Sequence, residues 1–529
     1  MSFRHPTRRG FLASGMSSLA ALAVTGSVPG RAQAATPPGV LVVGQIAEPK
    51  ALDPAAVTAV NDFRILVNLY EGLTRYRPGT LEVAPGLASD WTISDDGTVY
   101  TFTLRENVRF HDGTPFDAEA VKFNFDRMLD ETHPYHDTGP FPLAFFFGSV
   151  ARIEALDPHS VRFTLKEPYA PFLSNLAYPT GLLVSPQAVR QHGHEFGRNP
   201  VGTGPFRFVE WRSNEAVVIE RNPDYWGEKA ATEAVIFRPI TDANTRVAEM
   251  LAGGIDLMVE VPPASLAQFR DGRFSIVEQA GPHLWFLILN CKEGPFADKR
   301  VRQAANYAIN KEAIANDVLE GTATVAAGPI PPAFNWAHDD TLEPYPYDPE
   351  RARALIEEAG AVGARLVFYV TEGGSGMLDP LPMGTAIQAD LEAVGFDVEI
   401  RTFEWNTFLA QVNPGLAGKA DMAEMAWMTN DPDTLPYLAL RTEAWPDTGG
   451  FNSGYYSNPT VDALLEQART STDQAERAQL YREMQAIVHD DAPWVFVANW
   501  KQNAVTSDRV KNFRLEPSFL LHLASVVKD

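Results

Sequence analysis

Helices with clear start signals alternate with short apolar strand candidates in the second half of the chain. Asp348 and Asn458 each stand directly before a proline, and this pair of residues is typical of the first turn of a helix. Between such helices, segments 365–370 and 397–403 have the composition of strands. Strands that alternate with helices predict an α/β fold built in layers.

The composition is that of a folded chain with several domains. The chain has 529 residues, 45% of them hydrophobic, and its formal charge is 44 − 67 = −23. An acidic surface repels phosphate backbones, so we expect no nucleic-acid partner. The single cysteine, Cys291, cannot form a disulfide within the chain.

The N-terminus resembles an export signal. Residues 1–34 combine Arg8 and Arg9 with a weakly apolar stretch, and they end in the small-residue string Ala32-Gln33-Ala34. The string from Thr7 to Leu12 is similar to the twin-arginine signal, which implies export of the folded protein to the periplasm. No cysteine follows the cleavage site, so we expect a soluble mature protein without a lipid anchor.

Residues 87–165 predict a compact α+β subdomain. Alternating apolar residues mark two hairpins, at 87–104 and at 151–165. Between the hairpins, Asp117 precedes a segment with apolar residues at helical spacing, so it is expected to cap a helix.

Two other segments, 283–290 and 493–500, are apolar and strand-like but do not alternate with polar residues. A strand that is covered on both faces loses its polar alternation. We therefore expect these segments to be strands where the chain crosses between two lobes.

Motifs of common enzymes are absent from the sequence, which contains no GxSxG, no HExxH and no P-loop. We expect no catalysis, no metal and no cofactor. Aromatic residues are instead dense late in the chain, and aromatic side chains in loops often line ligand pockets. They are Trp405, Trp427, Tyr437, Trp445, Phe451, Tyr455 and Tyr456.

An ordered series of short strings resembles the bacterial extracellular solute-binding proteins of family 5, which serve peptide, opine and nickel ABC transporters. The strings cover nearly the whole chain after the signal. They are Tyr70-Glu71-Gly72-Leu73, Pro85-Gly86-Leu87-Ala88, Phe110-His111-Asp112-Gly113, Gly202-Thr203-Gly204-Pro205-Phe206, Asn222-Pro223-Asp224-Tyr225-Trp226 and Tyr456-Ser457-Asn458-Pro459.

The resemblance implies a two-lobed periplasmic-binding-protein fold of type II, with an extra α+β subdomain in lobe I and hinge crossings. Its layout would place lobe I at 35–284 and 496–529, the subdomain at about 76–199, and lobe II at 285–495. It further implies a monomer that closes on a peptide or peptide-like solute and delivers it to an ABC permease in the inner membrane. The alternative within the same fold is a carrier of a nickel chelate or haem.

The resemblance also suggests where the solute binds. In peptide-binding members, an acid three residues after a lobe II tryptophan pairs with the α-amino group. Here the tryptophan is Trp427 and the third residue is Asn430, a neutral amide that cannot replace a buried charge. Either Asp431 takes that role, or Asp431 and Asp433 only cap the loop around Pro432.

Four more residues become candidate ligand contacts by their position alone. Glu48 follows the first strand, and Trp285 lies in the first crossing segment. Phe451 and Asn452 precede the Tyr456-Ser457-Asn458-Pro459 string. Each of the four could instead be a packing residue.

Overall fold

The structure, a computed structural model, describes residues 37–374 and 376–529, so the predicted signal at 1–34 lies outside the described residues. The strands are β1 (Val40–Gln45), β2 (Thr74–Tyr76), β3 (Val83–Pro85), β4 (Ala88–Ile93), β5 (Val99–Leu104), β6 (Val150–Asp157), β7 (Ser160–Leu165), β8 (Phe206–Arg212), β9 (Ala216–Arg221), β10 (Ala234–Pro239), β11 (Leu257–Val259), β12 (Phe274–Ala280), β13 (His283–Leu289), β14 (Ala323–Val325), β15 (Arg365–Thr371), β16 (Asp397–Phe403), β17 (Met422–Met428), β18 (Trp494–Ser507), β19 (Val510–Lys511) and β20 (Val527–Lys528).

The helices are α1 (Val60–Leu69), α2 (Ala118–Leu129), α3 (Phe172–Ala177), α4 (Pro186–His192), α5 (Ala243–Ala252), α6 (Lys299–Ala308), α7 (Lys311–Ala313), α8 (Pro349–Glu358), α9 (Pro380–Ala393), α10 (Trp405–Val412), α11 (Thr434–Ala439), α12 (Pro459–Thr470) and α13 (Gln474–Asp491). None of these described helices combines the length and the apolar character that crossing a bilayer requires.

One large sheet runs through the molecule. Its strand order is β16-β15-β17-β13-β18-β11-β1-β10-β9-β8, and β12 and β14 also pair with β18. The first part of β18 pairs with β13, where Val495 lies opposite Leu287, and its last part pairs with β11, where Thr506 lies opposite Leu257. We name the body around β1 and β8–β12 lobe I and the body around β13–β17 lobe II. Strand β18 belongs to both.

Strand β13 is buried along its whole length. On one face, Trp285 and Leu287 belong to one apolar core of lobe II, and on the other face Phe286 and Ile288 belong to a second core. This double coverage explains why segment 283–290 shows no polar alternation. The chain passes between the lobes immediately before this segment, at 281–282, and again within β18 between Trp500 and Lys501.

Both lobes have the predicted α/β construction. In lobe I, β1 is parallel to β10 and to β11, and in lobe II, β15 is parallel to β16 and to β17. The predicted helix starts are confirmed, because the Asp348 side chain accepts a hydrogen bond from the N–H of Arg351 and the Asn458 side chain accepts one from Thr460.

The predicted α+β subdomain is also confirmed. A four-stranded antiparallel sheet of order β4-β5-β7-β6 packs against α2, and the Asp117 carboxylate caps that helix by accepting from the N–H of Ala120 at 2.9 Å. The subdomain core contains several aromatic rings in edge contact, for example Phe102 with Phe163 at 5.7 Å between centroids. Phe172 of α3 belongs to the same core, so α3 is fixed to the subdomain.

Candidate functional site

A small cavity lies where lobe I, its subdomain and lobe II meet. It has a volume of about 20 Å³, which is room for little more than one water molecule. Every lining side chain is uncharged at neutral pH. The lining residues are Val60, Phe63, Tyr76, Leu81, Tyr178, Pro282, Met428, Thr429, Asn430, Ser518 and Leu520.

A larger groove of about 370 Å³ opens on the outside of the subdomain, where Asp117, Lys122 and Arg190 are part of its lining. Residues of lobe II do not contribute to its lining. A solute there would touch only one lobe, so we take the small cavity as the candidate site.

Two tyrosines bring hydroxyl groups to the cavity from the lobe I side. The hydroxyl of Tyr76 is buried and has no hydrogen-bond partner among the described residues. Burial raises the pKa of Tyr76 well above its usual value, and burial raises the pKa of Tyr178 to about 12. Both hydroxyls therefore keep their protons at neutral pH and can donate hydrogen bonds.

Asn430 lies at the lobe II side of the cavity, just after β17 ends at Met428. Its side chain is 4% exposed, and its Nδ2 donates a hydrogen bond of 2.7 Å to Oδ1 of Asn175 in α3. The hydroxyl of Thr434 lies 3.4 Å from its Oδ1. This neutral amide therefore links lobe II to the subdomain.

Asp431 is buried and ion-paired. Its Oδ1 accepts from Nη2 of Arg477 at 2.8 Å and from the N–H of Asp433 at 3.0 Å. Its Oδ2 accepts from the hydroxyl of Ser174 in the subdomain at 2.8 Å. The bond from Asp433 is the loop-capping contact considered above, and the bond from Ser174 crosses between the lobes.

Asp433 is also buried and paired. Its Oδ2 accepts from Nη1 of Arg469 at 2.6 Å, while its Oδ1 has no partner within the described part of the chain. Burial raises the pKa of Asp433 to about 6, although Arg469 opposes the rise. The guanidinium of Arg469 also lies 4.6 Å from the ring centroid of Tyr169 in the subdomain and 3.6 Å from that of Tyr437.

The other predicted contact residues do not line the cavity. Trp285 is fully buried in the lobe II core, and its Nε1 has no hydrogen-bond partner in the described structure. Trp427 packs edge-on against Phe451 with 5.6 Å between ring centroids, and Phe451 is 42% exposed. The buried Asn452 side chain donates to the carbonyl oxygens of two neighbouring loop residues, so it holds the loop together.

Glu48 lies at the far edge of lobe I. Its Oε1 accepts from the indole N–H of Trp211 at 2.7 Å and from the N–H of Asn214 at 3.0 Å. The structure thus brings Asn430 to the cavity and places Asp431 and Asp433 behind it. It leaves Glu48 apart from them.

Sequence reasoning missed the lobe I side of the cavity. Phe63, Tyr76, Tyr178 and Leu520 come from four separate segments and match no spacing rule. Within residues 37–374 and 376–529, groups of three or more metal-ligating side chains are not found.

Comparison with known proteins identifies the family. Residues 82–447 match the model described as bacterial extracellular solute-binding proteins, family 5 Middle. The chain is 34% identical over 499 residues to di/tripeptide-binding protein 2 of Pseudomonas aeruginosa, covering 91% of this chain and 93% of the relative. It is 33% identical over 470 residues to heme-binding protein A of Haemophilus influenzae, covering 85% of each chain.

The structure agrees with this match. HbpA2 from Haemophilus parasuis superposes with a TM-score of 0.85 at 30% identity, covering 93% of this chain and 100% of that one. The predicted two-lobed periplasmic-binding-protein fold is therefore confirmed. The chain belongs to the bacterial extracellular solute-binding proteins of family 5, a family of non-catalytic binding proteins.

Proposed function

We propose that this protein is the binding component of an ABC importer and captures a peptide or peptide-like small solute between its lobes. The observation that carries the proposal is the cavity next to Asn430, because lobe I and lobe II both contribute to its lining. A peptide-binding relative that matches over nine tenths of both chains supports the same solute class.

Binding would follow from closure of the lobes. A solute that touches both lobes makes all its contacts only when they are closed, so its differential affinity shifts the population toward the closed form. The cavity is smaller than a dipeptide, so the lobes must separate before a solute of that size can enter. The chain crossings at 281–282 and 500–501 would form the hinge.

We further propose lobe boundaries at 35–284 plus 496–529 for lobe I and 285–495 for lobe II, with the subdomain at about 76–199. The separate apolar cores support this division, and the two crossings lie within about five residues of its limits. We also propose export to the periplasm by the twin-arginine pathway, a soluble monomeric state without a lipid anchor, and delivery of the solute to an inner-membrane permease. The Arg8-Arg9 pair supports the export route.

The test is a thermal-shift screen of the mature protein against dipeptides, tripeptides, opines, nickel–histidine and haem. At a hundredfold excess over Kd, binding to the folded form adds about 2.7 kcal/mol of stability, which a melting curve resolves. We expect peptides or close derivatives to raise the melting temperature. Stabilisation by haem or nickel–histidine alone would contradict the proposal and support the alternative carrier function.

A matched pair of variants locates the site. Tyr178→Phe removes a hydroxyl from the cavity, whereas Tyr347→Phe removes one from a side chain that is 48% exposed on lobe II. We expect the first variant to weaken the response to the best solute and the second to leave it unchanged. Equal responses from the two variants would place the solute elsewhere.

A further inference from the structure

The two carboxylates next to Asn430 are already paired with arginines. Asp431 and Asp433 lie behind Asn430, and each faces its own arginine, Arg477 and Arg469. The charges of these four side chains sum to zero at neutral pH. A free ammonium group in the cavity would therefore find no unbalanced carboxylate from this cluster.

Arg64, a buried cation on the lobe I side, is also paired. Arg64 is 1% exposed, donates from Nε to the carbonyl oxygen of Phe519 at 3.2 Å, and pairs through Nη1 with Glu260 at 2.8 Å. Phe519, which accepts from Arg64, stands in the chain between the cavity-lining residues Ser518 and Leu520. A carboxylate group entering the cavity would have to compete with Glu260 for this arginine.

The cavity does offer hydrogen bonds to neutral groups. The buried hydroxyl of Tyr76 has no partner among the described residues and keeps its proton, so it can donate to an amide carbonyl. Asn430 adds an amide, and Phe63, Leu81 and Met428 add apolar walls. A site that leaves a buried donor unpaired favours a solute that supplies the missing acceptor.

From these observations, and resting on the proposed function, we infer that the cavity selects compact peptide derivatives without charged termini. Cyclic dipeptides represent this class, because they have two amide carbonyls, two amide N–H groups and no ionised group. A linear dipeptide at neutral pH has to bury an ammonium and a carboxylate, whereas the residues that line the cavity carry no charge.

The experiment is calorimetric titration of the full mature protein at pH 7 with three matched compounds: cyclo(Leu-Phe), N-acetyl-Leu-Phe-amide and linear Leu-Phe. We expect the Kd of at least one uncharged compound to be at least tenfold lower than that of the linear dipeptide. An equal or tighter Kd for linear Leu-Phe would overturn the inference while supporting the proposed function. If all three fail to bind while haem or nickel–histidine binds, the proposed function fails and the inference fails with it.

Two variants test the residues that carry the argument. Asn430→Asp places an additional carboxylate at the cavity, so we expect tighter binding of linear Leu-Phe and weaker binding of cyclo(Leu-Phe). Tyr76→Phe removes only the unpaired hydroxyl, so we expect about tenfold weaker binding of the uncharged compound. The melting temperature without solute should not fall in Tyr76→Phe, because the variant loses no hydrogen bond within the described structure.

Tyr347→Phe is the matched control for Tyr76→Phe, because its exposed hydroxyl lies outside the cavity. If Tyr76→Phe and Tyr347→Phe bind the tighter of the two uncharged compounds equally well, the inference is overturned even if Asn430→Asp fails to fold.

Discussion

The subdomain core and the contact between the lobes are both buried, but only the contact contains many polar and charged side chains. The core is a cluster of aromatic rings such as Phe102, Phe163 and Phe172. The contact also has apolar residues such as Leu81, but it contains buried amides, carboxylates and arginines, with Asn175 and Ser174 facing Asn430 and Asp431. Closely packed apolar side chains favour a single arrangement. A polar contact can open at lower cost, because its groups then form hydrogen bonds to water. This difference indicates that the contact between the lobes, and not the subdomain core, is the surface that opens.

The largest effect is expected in the aromatic core. Phe102→Ala removes a fully buried ring and should lower the free energy of unfolding by about 4 kcal/mol, as large-to-small core substitutions do. Urea unfolding measures the loss. Phe145→Ala is the matched control, since Phe145 is 62% exposed and should change stability by less than about 0.5 kcal/mol. Similar losses in the two variants would contradict this assignment of the core.

The next effect concerns the charge pairs behind the cavity. Arg477→Met leaves the carboxylate of Asp431 buried without its cation and should cost about 3 kcal/mol in unfolding free energy. Arg477→Met combined with Asp431→Asn removes the stranded charge, so the double variant should recover part of that loss. A double variant that is less stable than Arg477→Met would show that the pair does not act as described.

A pH titration tests Asp433 separately. Its pKa is raised to about 6 in the folded protein from an ordinary value of 3.8, so protonation stabilises the folded state at low pH. That stabilisation is fully present below about pH 3.8 and is lost as the pH rises through about 6. Relative to Asp433→Asn, the unfolding free energy of the parent should fall by on the order of 2 kcal/mol between pH 4 and pH 7. A difference that is constant or rises over this range would contradict the assignment.

The smallest effect is expected at the hydrogen bond between the lobes. Ser174→Ala removes the donor to Asp431 and should weaken the closed arrangement by about 1 kcal/mol while leaving the subdomain core intact. Small-angle scattering without solute should then show a larger mean radius of gyration. Ser149→Ala is a control on the subdomain, because the Ser149 hydroxyl has no hydrogen-bond partner in the described residues. An equal radius in the two variants would show that this bond does not influence closure.

Short sequence patterns predicted much of the fold, because the interactions that they reflect join residues only a few positions apart. A cap such as Asp117 or Asn458 bonds to N–H groups within three residues, so its effect is visible in the sequence. The doubly buried strand β13 was predicted for a similar reason, because its composition reflects its two apolar neighbours.

The site could be predicted only in part. Asn430 was found from its distance to Trp427, but the side chains that determine its surroundings are far away in the chain. Its partner Asn175 is 255 residues distant, and the arginine that neutralises Asp431 lies 46 residues further on. Such pairings depend on how the lobes and helices pack, which the spacing of residues in a sequence does not encode.

Strand β18 has a consequence for the order of folding. It begins at residue 494, pairs with β13 in lobe II and with β11 and β12 in lobe I, and so completes the sheet of both lobes. The part of the sheet in either lobe cannot be completed until this late segment has left the ribosome, so the final folding step follows synthesis of almost the entire chain. Pairing over such long sequence separations is slow. Truncation shortly before residue 494 would therefore be expected to leave both lobes unfinished rather than to remove one of them.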